Sequence, residues 1–266
     1  MGRIAQIGSV TALLGIAVVG WVILSPPKSP DLTAQIQAAS AVLERARVDH
    51  MVHYDPALNW LVLPEVSKSI ERKTLFIAKL LPLIAEQNER ILIQRSVAET
   101  AAFGSPAYNA LTHVYGLKSG ASRKALLARV DKIPESLTLA QAAIESGWGT
   151  SRFALQGNAL FGERTYNANT PGMAPRGASG FKVKSFDHTI GSIRSFMKTL
   201  NTNRAYKVFR AQRANFRTQG RAATGYDLAV YLKSYSEIGD AYIQRITDTI
   251  QANALGAFDG IAHVDH

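Results

Sequence analysis

One carboxylate lies in surroundings that would favour its protonated form. Glu145 follows nine residues, 136–144, that contain no charged side chain. The composition of this run is typical of a helix that is apolar on all sides and therefore buried. Burial and the negative end of the helix dipole both raise the pKa of a carboxyl group in the last turn. A carboxylic acid that stays protonated near neutral pH is suited to general acid catalysis. The simpler alternative is a Glu that reaches solvent at a helix end.

The chain that must position Glu145 is predicted to be mainly helical. Gly147 ends the Glu145 helix, because glycine adopts the left-handed conformation of a helix terminus without strain. Apolar periodicity predicts further helices at residues 32–48, 67–103, 122–130, 187–200, 204–216, 225–235 and 238–255. Pro82 should kink the second of these helices, Ser122 should cap the third and Asp187 the fourth. Residues 164–180 are expected to form a long loop, followed by a strand at 180–186.

The amino-terminal segment predicts a membrane anchor. Residues 4–24 carry no charge and follow Arg3, and this length is sufficient for a transmembrane helix. A cleaved signal peptide is the alternative, but no small-residue cleavage pattern follows the segment. The positive flank predicts a single-pass protein whose amino terminus lies in the cytoplasm and whose residues after about 24 lie outside it. The Pro-rich residues 25–30 would act as a spacer.

Composition narrows the classes of partner and chemistry. The chain of 266 residues is 47% hydrophobic, has a net charge of +10 and contains no cysteine. The lack of cysteine fits an exported domain and excludes thiolate chemistry. Residues 198–221 hold seven basic and no acidic side chains. Arg210, Arg213 and Arg217 share one helix face, which is either a solvated face or a surface for a polyanion. An exported, anchored chain argues against nucleic acid as that polyanion.

The sequence contains no signature of a cofactor or metal site. His50 and His53 lie three residues apart, but no other plausible ligand cluster is nearby in sequence, so a structural or surface role is favoured. No P-loop, dinucleotide fingerprint or nucleophile elbow is present. We therefore expect no cofactor and no metal.

Two motifs near Glu145 resemble a known enzyme family. Residues 140–154 (AQAAIESGWGTSRFA) and 158–162 (NALFG) are similar to the glucosaminidase domain of bacterial cell-wall hydrolases, glycoside hydrolase family 73. Residues 71–82, 200–206 and 235–242 are similar, more narrowly, to the Bax-type members of Gram-negative bacteria. The resemblance covers roughly residues 65–252.

The resemblance implies a fold and an activity. The fold would be lysozyme-like and mainly α, with a small β-hairpin region beside the cleft. The activity would be cleavage of the β-1,4 bond after N-acetylglucosamine in the glycan strands of peptidoglycan. The family's general acid corresponds to Glu145, so the resemblance and the pKa argument indicate the same residue.

The second catalytic group remains open at this stage. Glycosidases usually pair the acid with another carboxylate. Glu163 is the only acidic residue between Ser146 and Asp187, and it is either that partner or a solvated loop residue. The resemblance also implies a catalytic tyrosine, which corresponds to Tyr235. In a substrate-assisted reaction, Tyr235 would orient the N-acetyl group of the sugar, which would attack in place of a carboxylate.

Several further residues are predicted to contact substrate or shape the cleft. They are Ser146, Trp148, Asn158, Phe161, Tyr231, Glu237 and Tyr242. Trp148 would either stack on a sugar ring or fill the core, and core packing is favoured. Tyr231 has the helical spacing of a packing residue as well.

These interpretations divide the chain into four parts. Residues 1–30 form the membrane anchor and spacer, 31–119 a helical region packed on the catalytic domain, 120–255 the glucosaminidase domain and 256–266 a disordered tail. The expected function is that of a monomeric peptidoglycan hydrolase bound to the inner membrane. The alternatives are a lytic transglycosylase, which yields a 1,6-anhydro product, and a cell-wall-binding scaffold on a degenerate hydrolase fold.

Overall fold

The computed structural model of the chain describes residues 31–55, 58, 66–177, 179–235 and 239–264. The predicted anchor and spacer at 1–30 and the predicted substrate residue Glu237 lie outside the described residues. Among the residues that are described, no helix is both long and apolar enough to cross a membrane.

Helices make up most of the described chain. They are α1 (Leu32–Asp49), α2 (Ser69–Thr100), α3 (Pro106–Val114), α4 (Arg123–Arg129), α5 (Glu135–Ser146), α6 (Arg152–Gly157), α7 (Thr189–Thr202), α8 (Lys207–Thr218), α9 (Gly225–Ala229) and α10 (Asp240–Ala252). Short 3₁₀ helices follow at Arg204–Tyr206, Lys233–Tyr235 and Leu255–Phe258. The prediction of a mainly α chain is confirmed.

Short strands form two small sheets. Strands β2 (Arg164–Thr165), β3 (Gly172–Met173) and β4 (Lys182–Lys184) form an antiparallel sheet in the order β2-β4-β3. This sheet lies in the region where the resemblance implies a β-hairpin. Strands β1 (Met51–Val52) and β5 (Ala262–His263) pair in parallel. Gly172 permits the contact of β3 with β4, since a Cβ there would lie 2.7 Å from the Val183 carbonyl oxygen.

Helix α5 is the buried helix that its composition predicts. Every residue from Glu135 to Ala143 is buried. The helix is surrounded by α2, α9, α10 and the 3₁₀ helix Leu255–Phe258. Gly147 follows α5 in the left-handed conformation, with φ of 59°, as predicted.

The amino-terminal helices share one core with the rest of the chain. Helix α1 packs its buried face, with Val42 and Leu43, against α2, and α2 contacts both α5 and α7. Helix α2 continues through the buried Pro82 and ends at Thr100, three residues before the predicted end. The region 31–119 therefore packs on the segment that carries Glu145.

The predicted disordered tail is wrong for residues 256–264. Leu255 and Phe258 are fully buried, Ile261 is nearly so, and β5 pairs with β1. Leu255 and Phe258 lie three residues apart, which places them on one face of the 3₁₀ turn. The tail therefore covers α5 instead of leaving the fold.

Two carboxylates connect the tail to the start of α5. Asp259 accepts hydrogen bonds from the Ser136 backbone nitrogen and hydroxyl, both at 2.8 Å, and from the Gly225 nitrogen at 2.9 Å. Glu135 accepts from Asn88 Nδ2 and the Gly260 nitrogen, both at 2.8 Å. Burial raises the pKa of both carboxyl groups, and these hydrogen bonds oppose part of that effect.

The basic face of α8 does not form the predicted polyanion surface. Arg210 and Arg213 are 5% and 4% exposed. Arg213 donates to the carbonyl oxygens of Asp131 and Lys132, at 3.1 and 3.0 Å, and Arg217 binds the Asp131 carboxylate. Burial would raise the pKa of Asp131, but the arginines around it hold that pKa below its usual value. Both the solvated-face and the polyanion interpretations are therefore wrong for Arg210 and Arg213, whereas Arg217 remains 41% exposed while it pairs with Asp131.

The predicted helix cap at Asp187 is also wrong. Helix α7 begins after His188, and no side chain caps it. The Asp187 carbonyl oxygen instead accepts a hydrogen bond from Asn158 Nδ2 at 3.2 Å. The predicted cap at Ser122 is confirmed, because its side chain accepts from the Ala125 nitrogen.

Replacing Asp259 with alanine is expected to lower the free energy of unfolding by about 3 kcal/mol, because two buried N–H groups and a buried hydroxyl lose their acceptor. Urea unfolding followed by circular dichroism measures the change. Asp248→Ala is the matched control, since the exposed Asp248 carboxylate accepts from Gln244 of the same helix, α10. An Asp259 variant as stable as this control would contradict the structural role of the tail.

Candidate active site

Glu145 occupies the last turn of α5, where the helix leaves the core. The residue is partly buried, unlike its buried neighbours on the amino-terminal side. Burial raises the pKa of Glu145 above its usual value. A hydrogen bond from Tyr242 and the charge of Arg245 offset part of this increase. The carboxyl group therefore has the raised pKa that its position in the sequence predicts.

Tyr242 of α10 holds the Glu145 carboxyl group. Tyr242 is 2% exposed, and its hydroxyl accepts from Gln141 Nε2 at 3.1 Å while it bonds Glu145. Burial, followed by the charge of Glu145, raises the pKa of Tyr242 far above its usual value, so the phenol remains a donor. Gln141 lies four residues before Glu145 on the same face of α5. Hydrogen bonds thus link Gln141, Tyr242 and Glu145 in series, and this relay fixes the orientation of the Glu145 carboxyl group.

Tyr235 lies directly beside this relay. Its ring stacks on Tyr242, with centroids 5.5 Å apart and planes 7° apart, and its hydroxyl donates to the Phe161 carbonyl oxygen at 3.1 Å. Burial raises the pKa of Tyr235 well above its usual value, with further contributions from Tyr242, Glu145 and Glu163. The phenol is therefore neutral and lies close to both candidate carboxylates.

The loop at 158–162 brings backbone close to Glu145. Phe161 stacks on Phe196 of α7 with centroids 4.0 Å apart, which anchors the loop in the core. Gly162 has φ of 61°, and a Cβ there would lie 3.7 Å from Glu145 Oε2. Glycine at this position both permits the left-handed backbone and leaves space next to the carboxyl group.

Glu163 follows this loop but turns into the protein. Its Oε1 accepts from Thr199 Oγ1 at 2.9 Å and lies 3.6 Å from Lys184 Nζ. The side chain is only 11% exposed, and Oε2 is buried without a hydrogen-bond partner among the described residues. Glu163 is therefore not the solvated loop residue of the simpler interpretation.

Three of the predicted substrate residues make structural contacts within the protein. The Ser146 hydroxyl accepts from the Gly149 nitrogen at 2.8 Å, and Asn158 Nδ2 donates to the Phe186 carbonyl oxygen at 2.9 Å. Trp148 packs edge-on against Phe76, with centroids 5.5 Å apart. These contacts shape the loops that follow α5. Core packing, the favoured interpretation of Trp148, agrees with this geometry.

The structure thus brings together only part of the predicted set. Glu145, Tyr235, Tyr242, Phe161 and Glu163 lie in one group, whereas Tyr231 is partly buried against the core. Sequence reasoning missed Gln141, Gly162 and Arg245. The position of Gln141, one helical turn before Glu145, was a signal that could have revealed it.

A large cavity in the described part of the chain lies away from Glu145. It has a volume of about 730 Å³ and lies between α2 and the start of α7, where Lys79 and His188 line it. Glu145 is not among the described residues of its lining. The carboxyl group, and not cavity size, therefore locates the candidate active site. Within the described ranges, no group of three or more His, Asp or Glu residues could hold a metal ion.

Comparison with known proteins agrees with the motifs around this site. Residues 121–255 match the glucosaminidase family, described as mannosyl-glycoprotein endo-beta-N-acetylglucosaminidase. The chain belongs to the glucosaminidase family. It is also 34% identical to Protein bax of Escherichia coli (strain K12) over 195 residues, which are 68% of this chain and 70% of that protein. No solved structure matches. Family membership supports a glycosidase-type enzyme and confirms the predicted resemblance.

Replacing Tyr242 with phenylalanine is expected to raise the pKa of Glu145 further, because the ionised carboxylate loses a hydrogen-bond donor. Carbon-13 NMR titration of the glutamate side-chain carboxyls measures this pKa, and Glu145→Gln assigns the resonance. Tyr226→Phe is the matched control, since the Tyr226 hydroxyl bonds Thr247 on the far side of α10. An unchanged Glu145 titration in the Tyr242 variant would contradict the relay.

Proposed function

We propose that this protein cleaves the β-1,4 bond after N-acetylglucosamine in peptidoglycan, with Glu145 as the general acid. The observation that carries the proposal is the position of Glu145: it lies partly buried at the end of α5, oriented by Tyr242, with a raised pKa. A glycosidase acid must be protonated before it meets its substrate, and burial favours that form. Membership of the glucosaminidase family supports the same assignment.

In the proposed first step, Glu145 donates its proton to the glycosidic oxygen as the bond from that oxygen to C1 breaks. Positive charge then develops at C1 and the ring oxygen, as in other glycoside hydrolases. The ionised Glu145 that remains is stabilised by the Tyr242 hydroxyl and the charge of Arg245. Water can later return a proton to Glu145 when it completes the hydrolysis.

The second catalytic group is proposed to be the N-acetyl group of the substrate. A carboxylate that activates water must contact that water, but Glu163 Oε2 is buried and Oε1 is engaged by Thr199 and Lys184. The carbonyl oxygen of the N-acetyl group would attack C1 instead, and water would then open the ring so formed. Tyr235, beside Glu145, is the candidate for orienting the N-acetyl group. Glu163 would act indirectly, because its charge raises the pKa of Tyr235.

The same burial of Glu163 favours one second candidate function. A lytic transglycosylase needs no water and no partner acid, since the C6 hydroxyl of the sugar attacks C1. The two reactions differ in their products, because hydrolysis leaves a reducing end and transglycosylation a 1,6-anhydro end. A binding scaffold is less favoured, since the relay that orients Glu145 is intact.

The proposed location is the periplasmic face of the inner membrane. Residues 4–24 carry no charge and have the length of a membrane span. The spacer at 25–30 would let a monomeric catalytic domain reach the wall. Localisation of a fusion protein by fractionation tests this part of the proposal.

Replacing Glu145 with glutamine is expected to lower kcat on purified peptidoglycan by about a thousandfold, the usual contribution of a general acid. Glu163→Gln should cost less than about tenfold if the N-acetyl group replaces a second carboxylate. The matched control is Glu44→Gln, a change on the exposed face of α1. Fragments are reduced with borohydride and identified by mass spectrometry.

The products and the two variants separate the alternatives. New reducing-end N-acetylglucosamine, lost in the Glu145 variant, supports the proposal, whereas anhydro ends would replace it with transglycosylation. A Glu163 variant as inactive as the Glu145 variant would overturn the substrate-assisted route. Retained activity in Glu145→Gln would overturn the assignment of the acid.

A further inference from the structure

A second cavity differs in charge from the surroundings of Glu145. We call it the α2–α7 pocket; its volume is about 310 Å³, and it lies between α2, the end of α3 and α7. Its described lining consists of Gln87, Arg90, Ile91, Gln94, Val114, Tyr115, Arg194, Lys198 and Asn201. Three of these side chains are cationic, and no carboxylate is among them. Such a lining favours an anionic group.

Hydrogen bonds between lining residues hold the polar side chains of the pocket in place. The Tyr115 hydroxyl donates to Gln94 Oε1 at 2.6 Å, and Arg194 Nε donates to Gln87 Oε1 at 3.3 Å. Both glutamine carbonyl oxygens are therefore occupied. Their amide nitrogens have no partner among the described residues and remain available as donors. Arg90 pairs with Glu86, which limits its contribution.

Asn201 provides a buried hydrogen-bond acceptor in the same pocket. It is 1% exposed, and its Nδ2 donates to the Asp131 carbonyl oxygen at 3.0 Å, which fixes the orientation of the amide. Its Oδ1 is buried and has no hydrogen-bond partner in the part of the chain that the structure describes. A buried acceptor without a donor is costly, so a ligand with an N–H group would satisfy it.

We propose that the α2–α7 pocket binds the carboxyl-terminal residue of a short peptide. Arg194, Lys198 and the glutamine amides would bind the terminal carboxylate, and Asn201 Oδ1 would accept the N–H group of the same residue. Ile91 and Val114 leave an apolar wall that suits a small aliphatic side chain. The volume is sufficient for a dipeptide end but not for a folded chain.

The source of this peptide follows from the proposed function, on which this part of the inference rests. The stems of peptidoglycan are short peptides with free carboxylates, many of which end in D-alanine. Helix α7 connects the pocket to the site, because Phe196 of the same helix stacks on Phe161. Peptide binding there would hold a glycan strand while its sugar bond lies at Glu145.

The test uses the full-length protein with acetyl-D-alanyl-D-alanine and its carboxamide, titrated by calorimetry. The acid is expected to bind about tenfold more tightly than the amide, a difference that reflects charge-assisted hydrogen bonds. The double variant Arg194→Gln with Lys198→Gln should abolish this difference. Both side chains are exposed, so the fold should be retained, and thermal unfolding verifies it.

The matched control removes the same two charges elsewhere: Arg204→Gln with Lys207→Gln, at the exposed start of α8. Equal binding of acid and amide to the wild type would overturn the inference, as would an equal loss in the control. Tighter binding of acetyl-L-alanyl-L-alanine would indicate a protein carboxyl terminus and overturn the peptide-stem assignment. The titration needs no turnover, so a protein that binds the acid but cleaves no wall would refute the proposed function alone.

Discussion

The burial of α5 is the constraint on which the remainder of the structure depends. A helix that is apolar on all sides gains stability only when other elements cover every face. Helices α2, α9 and α10 provide most of that cover, and the carboxyl-terminal 3₁₀ turn completes it. The same burial leaves the single carboxyl group of the last turn between the core and solvent. The packing of the core and the raised pKa of Glu145 thus have the same cause, the burial of α5.

Buried charged side chains have two distinct structural roles in the fold. At the start of α5, Glu135 and Asp259 accept backbone N–H groups, so their desolvation is offset by hydrogen bonds that join distant segments. Around Asp131, guanidinium groups of α8 supply both charge and donors to backbone carbonyl oxygens. Breaking such a group by removing one partner costs more than the pair itself contributes, because the other charge stays buried. These contacts fix the loop before α5 and therefore the depth of the helix.

The sequence predicted those features whose signal is local. Helix periodicity revealed α1, α2 and α5, and the lack of charge before Glu145 revealed its burial, because each signal lies within one element. The tail and the basic face of α8 were misjudged, since both depend on a partner distant in sequence. Nothing near Arg213 reveals that Asp131, 82 residues earlier in the chain, would take it out of solvent. The cap at Asp187 was also wrong, because α7 has His188 at its N-cap position, one residue later than predicted.

The arrangement around Glu145 also bears on the proposed reaction, in which the substrate takes the place of a second carboxylate. The rings of Tyr235 and Tyr242 are stacked, and burial keeps both phenols neutral. They therefore place no charge beside Glu145 and do not take its proton. A second ionised carboxylate in direct contact with Glu145 would raise its pKa but would also oppose its ionisation as the bond breaks. Glu163 avoids this conflict, because its carboxylate is engaged by Thr199 and Lys184. The proposed attack by the N-acetyl group of the substrate would need space beside the Glu145 carboxyl group, and Gly162 places no side chain there.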